Sequence, residues 1–86
     1  MNRMDKIRSL LAVLQPTQIE IADESHLHAG HSAAGSGGNY RLRIMSAQFI
    51  GKSTVERHRM IYSALGDLMK HEIHALNITA STPQNQ

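Results

Sequence analysis

Apolar residues recur in this chain with two different periods, and the order in which those periods follow one another leaves few folds open. Residues 2–14 carry Met4, Ile7, Leu11 and Leu14, joined by Leu10, at three-to-four spacing with Arg3, Asp5, Lys6, Arg8 and Ser9 between them. That is the pattern of a helix with one buried face. Pro16 ends it, because a proline disfavours the helical conformation at the preceding residue, here Gln15. From 17 to 22 the period shortens to two: Ile19 and Ile21 alternate with Gln18, Glu20 and Ala22, as in a half-buried strand. Asp23-Glu24-Ser25 closes that strand. A second alternation sets Tyr40, Leu42 and Ile44 against Arg41, Arg43 and Met45.

A turn at Phe49-Ile50-Gly51-Lys52 leads into Ser53-Thr54-Val55-Glu56, which has the spacing of a capping box. The helix that follows carries Val55, His58, Ile61, Leu65 and Leu68 on one face, with Ala64 and Met69 at its edges. Lys70 and His71 lie near its end, where cations suit the helix dipole. Leu76, Ile78 and Ala80 then alternate with Asn77, Thr79 and Ser81 in a third strand. Pro83 and a polar tail follow, and disorder is expected over 84–86. The order is helix, strand, strand, helix, strand. The chain is therefore expected to be an α+β domain spanning 1–83, a three-stranded sheet covered on one face by its helices.

Eighty-six residues allow one domain and no more. With one Phe and two Tyr, the core must be built mainly from Ile, Leu, Val, Met and Ala. Such a core leaves little room for a deep substrate cleft, and no catalytic constellation, phosphate loop or HExxH motif is present. A non-enzyme without a small-molecule substrate is expected. There is no cysteine, which excludes disulfides, thiolate zinc sites, cysteine nucleophiles and an iron–sulfur cluster held by this chain's own thiolates. The N-terminal residues lack the apolar core of a signal peptide and no apolar run reaches membrane-spanning length, so a cytoplasmic protein without a membrane partner is expected. A net charge of +2 does not by itself indicate nucleic acid. Six histidines are the compositional oddity.

Several blocks of the chain occur in an order that points to one family. These are Asp23-Glu24-Ser25-His26-Leu27-His28, Phe49-x-Gly51-Lys52, Arg57-His58-Arg59-Met60-Ile61-Tyr62, Ile73-His74-Ala75-Leu76 and Thr82-Pro83. Over residues 4–83 the chain resembles the BolA family, whose class II KH-like α+β fold agrees with the element order above. The resemblance implies a partner role: BolA-like proteins pair with monothiol glutaredoxins, and the pair can share a 2Fe–2S cluster. In that arrangement the glutaredoxin cysteine and a glutathione thiol supply two ligands, BolA supplies the rest, and the free BolA protein is an apo monomer.

The family's ligating histidine, just before the last strand, matches His74. On sequence alone a lone histidine beside a strand is more often a partly buried side chain or a cap than a ligand. The assignment of His74 therefore comes from the resemblance. Imidazole suits iron, and replacing thiolates by His raises a cluster's potential. The family's second ligand comes from the long loop after the first strand, here HLHAGHSAAGSGGN over 26–39. Without Cys only the histidine type is open, with His31 and His28 as candidates ahead of His26; the family position just before the second strand is Asn39. An extended His26-Leu27-His28 would also put two imidazoles on one side, able to hold an adventitious metal.

His58 falls on the apolar stripe and is expected to pack and hydrogen-bond there, while His71 is expected to be a bystander. Arg57 and Arg59 lie off the stripe, and with Lys52 and Arg43 they are candidates for a basic patch that contacts phosphates. Some BolA-like proteins are described as transcriptional regulators, so the resemblance also implies an alternative function, a DNA-binding transcriptional regulator of the stress and morphology type using that patch. Gly35-Ser36-Gly37-Gly38 has the GXXG form of a KH nucleic-acid loop, but it is expected inside a flexible insertion between strands and carries no argument for RNA.

Overall fold

The computed structural model describes residues 1–28 and 37–83; the 84–86 tail lies outside the described residues. Helix α1 (Arg3–Leu11) is capped by the Asn2 side chain, which accepts from the Asp5 amide, and it buries Ile7 and Leu11. A 3-10 turn over Ala12–Leu14 extends it and stops at Gln15 with φ 52°, ψ 54°. Gln15, directly before Pro16, thus leaves the helical conformation there, but through the left-handed region instead of the extended one that a following proline favours. Three strands follow the expected alternation: β1 (Gln18–Asp23), β2 (Gly38–Met45) and β3 (Ile73–Ser81). They form one sheet in the order β1-β2-β3. β1 pairs antiparallel with β2, from Gln18 opposite Met45 to Asp23 opposite Tyr40. β2 pairs parallel with β3, from Gly38 opposite Ile73 to Met45 opposite Ser81.

A parallel neighbour needs a crossover, and the segment between β2 and β3 supplies it as helices. The capping box forms as expected at the start of α2 (Thr54–Leu65): Ser53 Oγ accepts from the Glu56 amide and Glu56 accepts from the Ser53 amide. The expected single helix through His71 is instead two. Gly66, at φ 55° and ψ −129°, breaks the run, and α3 (Asp67–His71) resumes beyond it in a new direction. This backbone region is open to glycine, so the break is written in that residue.

The core lies between the sheet and the helices. Ile7 and Leu11 meet Leu42 and Ile44 from β2, Phe49, and Ile61, Leu65 and Leu68 from α2 and α3. Leu76, Ile78 and Ala80 close its β3 margin. Two expected members of the α2 stripe do not reach this core. Val55 is 57% exposed, and His58 is half-buried with its ring edge-on to Tyr62, the centroids 6.4 Å apart. Both sit at the margin of the helix face that Ile61 and Leu65 centre. The opposite face of the sheet carries Arg41 and Arg43 and is open to solvent.

Candidate functional site at the end of the sheet

The antiparallel and parallel pairings bring three chain segments to one end of the sheet: the finish of β1 and the starts of β2 and β3. His74 belongs to the last. Gly38 pairs with Ile73 and Asn39 with Ala75, so one step along β2 spans two residues of β3. His74 is the extra residue of a β-bulge, a feature that ends regular pairing and re-aims a side chain. It therefore lies inside β3, not just before it, and it is exposed. Among the described residues no hydrogen bond or ion pair engages its ring.

The start of β3 is clamped from α1. Glu72 Oε1 lies 3.4 Å from Arg3 Nε and 3.4 Å from Lys6 Nζ. Arg3 also donates to the Tyr40 hydroxyl at 3.4 Å, a bond that, ahead of the contact with Glu72, raises its pKa. Partial burial pushes the Glu72 carboxyl up, but the bonds from Lys6 and Arg3 outweigh this and hold it below its ordinary value. The Glu72 carbonyl accepts from the Gly38 amide at 3.1 Å, so the residue ties α1, β2 and β3 together two positions before His74.

The connection between β1 and β2 is anchored at both ends. Asp23 Oδ1 accepts from the Ser25 amide (2.9 Å), and this bond holds the Asp23 carboxyl below its ordinary value. Ser25 Oγ accepts from the Asn39 amide (3.0 Å), and the Glu24 amide donates to the Asn39 carbonyl (2.7 Å). Beyond these bonds Ser25–His28 form a 3-10 turn. The expectation of an extended His26-Leu27-His28 is thereby corrected, and with it the argument that alternation aligns the two imidazoles. His26 is exposed on that turn; His28 is its last residue. His31 lies outside the described residues, as do Gly35 and Ser36. Asn39 is a buried residue of β2. Gly38, the last residue of the GXXG match, is part of β2.

At its other end the connection returns through Gly37, whose backbone lies against His74. Among the described residues no three His, Asp or Glu side chains gather as a metal site. What this end of the sheet offers is one exposed imidazole, which could be a single nitrogen ligand to a metal group only if further ligands came from elsewhere.

The four basic candidates lie on different elements. Arg43 is on the open face of the sheet, away from the helices, whereas Arg57, Arg59 and Lys52 lie at or near the start of α2. Arg57 donates to the carbonyls of Lys52 (3.0 Å) and Ala80 (3.1 Å), and so bridges the helix start to β3. Arg41, which the sequence did not single out, pairs with Glu24 at 3.0 Å. Its alternation with buried Tyr40 and Leu42 was the signal that placed it on the open face.

A three-stranded sheet with helices packed on one face, in this element order, matches the BolA-type domain of solved structures. The family model described as BolA-like protein matches residues 10–85, and the chain belongs to that family. It is 49% identical over 76 residues to SufE-like protein 1, chloroplastic/mitochondrial, of Arabidopsis thaliana, a match covering 81% of this chain and 20% of that protein. It is 41% identical over 70 residues to the DNA-binding transcriptional regulator BolA of Haemophilus influenzae, covering 81% of this chain and 66% of the relative. The chain thus spans about a fifth of the first protein's length and just under two thirds of the second's. Among solved structures, the BolA domain of SufE1 from Arabidopsis thaliana superposes with a TM-score of 0.85 at 42% identity, over 100% of this chain and 98% of that one.

Proposed function

We propose that this domain is a partner of a monothiol glutaredoxin, and that the two share a bridging 2Fe–2S cluster in iron–sulfur trafficking or iron and redox regulation. The observation that supports this best is the His74 bulge. It presents an exposed imidazole at the sheet end to which both ends of the histidine-bearing connection are anchored. A chain without cysteine contributes nitrogen ligands and takes its thiolates from the glutaredoxin and glutathione. His74 would be one ligand and a histidine of the connection, His28 or His31, the other. When bound, the cluster supplies one-electron chemistry, at a potential that imidazole ligation raises. The same family includes a BolA-type domain within a SufE-like protein, which is compatible with this reading.

The test mixes this protein with a monothiol glutaredoxin, glutathione and reconstituted cluster, and records visible absorption and circular dichroism. A spectrum distinct from the glutaredoxin homodimer, lost in His74→Ala with folding intact, is the expected result. A spectrum identical to the homodimer and indifferent to His74 overturns the reading.

A second reading, DNA-binding regulation, is favoured by the name of the Haemophilus influenzae relative. It would use Lys52, Arg57 and Arg59 at and near the start of α2 together with Arg43 of β2. It predicts sequence-selective binding with a steep salt dependence. Binding that ignores sequence and vanishes at physiological salt rejects it.

A further inference from the structure

We propose that Gly37 is the positioning residue for His74, and that its lack of a side chain is what allows the bulge to hold the imidazole at the end of the sheet. An ideal Cβ built on Gly37 lies 2.7 Å from the His74 backbone nitrogen, 2.9 Å from its Cβ and 3.1 Å from its Cα. Real Cβ atoms essentially never approach others closer than 3.0 Å, and two of these three contacts are with main chain. No rotation of the His74 ring relieves them; either the bulge or the incoming strand must move.

The bulge is the weaker side. The start of β2 is fixed by the Gly38 amide on the Glu72 carbonyl, by the bonds joining Asn39 to Glu24 and Ser25, and by the buried ring of Tyr40. Regular pairing with β3 resumes only at Asn39 opposite Ala75, so His74 is the residue left outside the ladder. A methyl group at 37 therefore displaces His74, not β2.

Gly38 provides the control. A Cβ there meets the Tyr40 ring, with the nearest atom at 2.5 Å, and its three nearest atoms all belong to that side chain. Adjacent glycines thus guard different neighbours.

The consequence for cluster sharing rests on the function proposed above, whereas the placement of His74 does not, so the experiment reads the two separately. In the free protein, the His74 amide and ring resonances are compared by NMR among wild type, Gly37→Ala and Gly38→Ala. Gly37→Ala is expected to shift the His74 and Ala75 signals while the core resonances stay in place, and Gly38→Ala to shift Tyr40 instead. In the second arm, Gly37→Ala is expected to retain glutaredoxin binding without cluster and to lose the circular dichroism of the mixed cluster complex.

Unmoved His74 signals in Gly37→Ala overturn the assignment, as does a Gly37→Ala chain that no longer folds, because the glycine would then serve the whole domain. If His74 shifts as expected but wild type forms no mixed cluster complex, the cluster-sharing reading fails and the positioning role stands.

Discussion

At the level of single residues, the end of the sheet depends on short polar bonds made by side chains of modest size. Ser25 is the clearest case. Its hydroxyl accepts from the amide of Asn39, a residue only 8% exposed. Ser25→Ala leaves that donor without its partner, which costs about 1–3 kcal/mol. The expected outcome is a lower urea midpoint, with faster amide exchange at Asn39 than at Leu42. His74 is different in kind: it is exposed, so its replacement is expected to leave the melt nearly unchanged. The sequence named His74 through family resemblance, but residue patterns alone could not separate it from the other histidines. What distinguishes it is a register shift between strands distant in sequence, and neither strand carries that shift by itself. Gly37 was missed as an individual residue for the same reason, since its contact is made across the sheet.

Among the elements, alternation located all three strands, and it failed where the physics predicts failure. Leu76, Ile78 and Ala80 mark the regular part of β3, whereas Ile73 to Ala75 were left out because the bulge interrupts period two there. The start of β2 was missed because Gly38 and Asn39 are poor strand formers that tertiary contacts hold in place. The capping box was legible because it is local, with all its atoms lying within four residues. Ser53→Ala removes it and is expected to cost about 1 kcal/mol, a fall in Tm of roughly 4–8 °C for a domain of this size. The break at Gly66 was hidden by the apolar residues Leu65 and Leu68, which fit an uninterrupted helix equally well. Gly66→Ala meets no atom closer than 4.0 Å, so its cost is that of the backbone alone, about 1–3 kcal/mol. Thermal melts of the two variants should both fall, and only Gly66→Ala should also disturb α3.

For the whole molecule, acid sensitivity follows from carboxylates held below their ordinary values. Glu56 is lowered chiefly by the Ser53 amide, and Asp23 by the Ser25 amide. A carboxylate with a depressed folded pKa contributes stability that is present above its unfolded pKa and is lost as pH falls through the lower folded value. The melting temperature is therefore expected to decline as pH drops below the ordinary values of 4.5 and 3.8. Glu56→Gln should be less stable than wild type at neutral pH and converge on it in acid. The parallel pairing of β2 with β3 has a further consequence, for the timing of assembly. β1 and β2 are joined directly, but Gly38 and Ile73 are separated in the chain by the rest of β2 and by α2 and α3. Contacts between such distant segments form late and slowly. The His74 bulge needs that pairing to be complete, so a partly folded chain lacks it. If His74 binds as proposed above, that competence should appear only with complete folding, and the domain's own topology would then keep unfinished chains out of any complex.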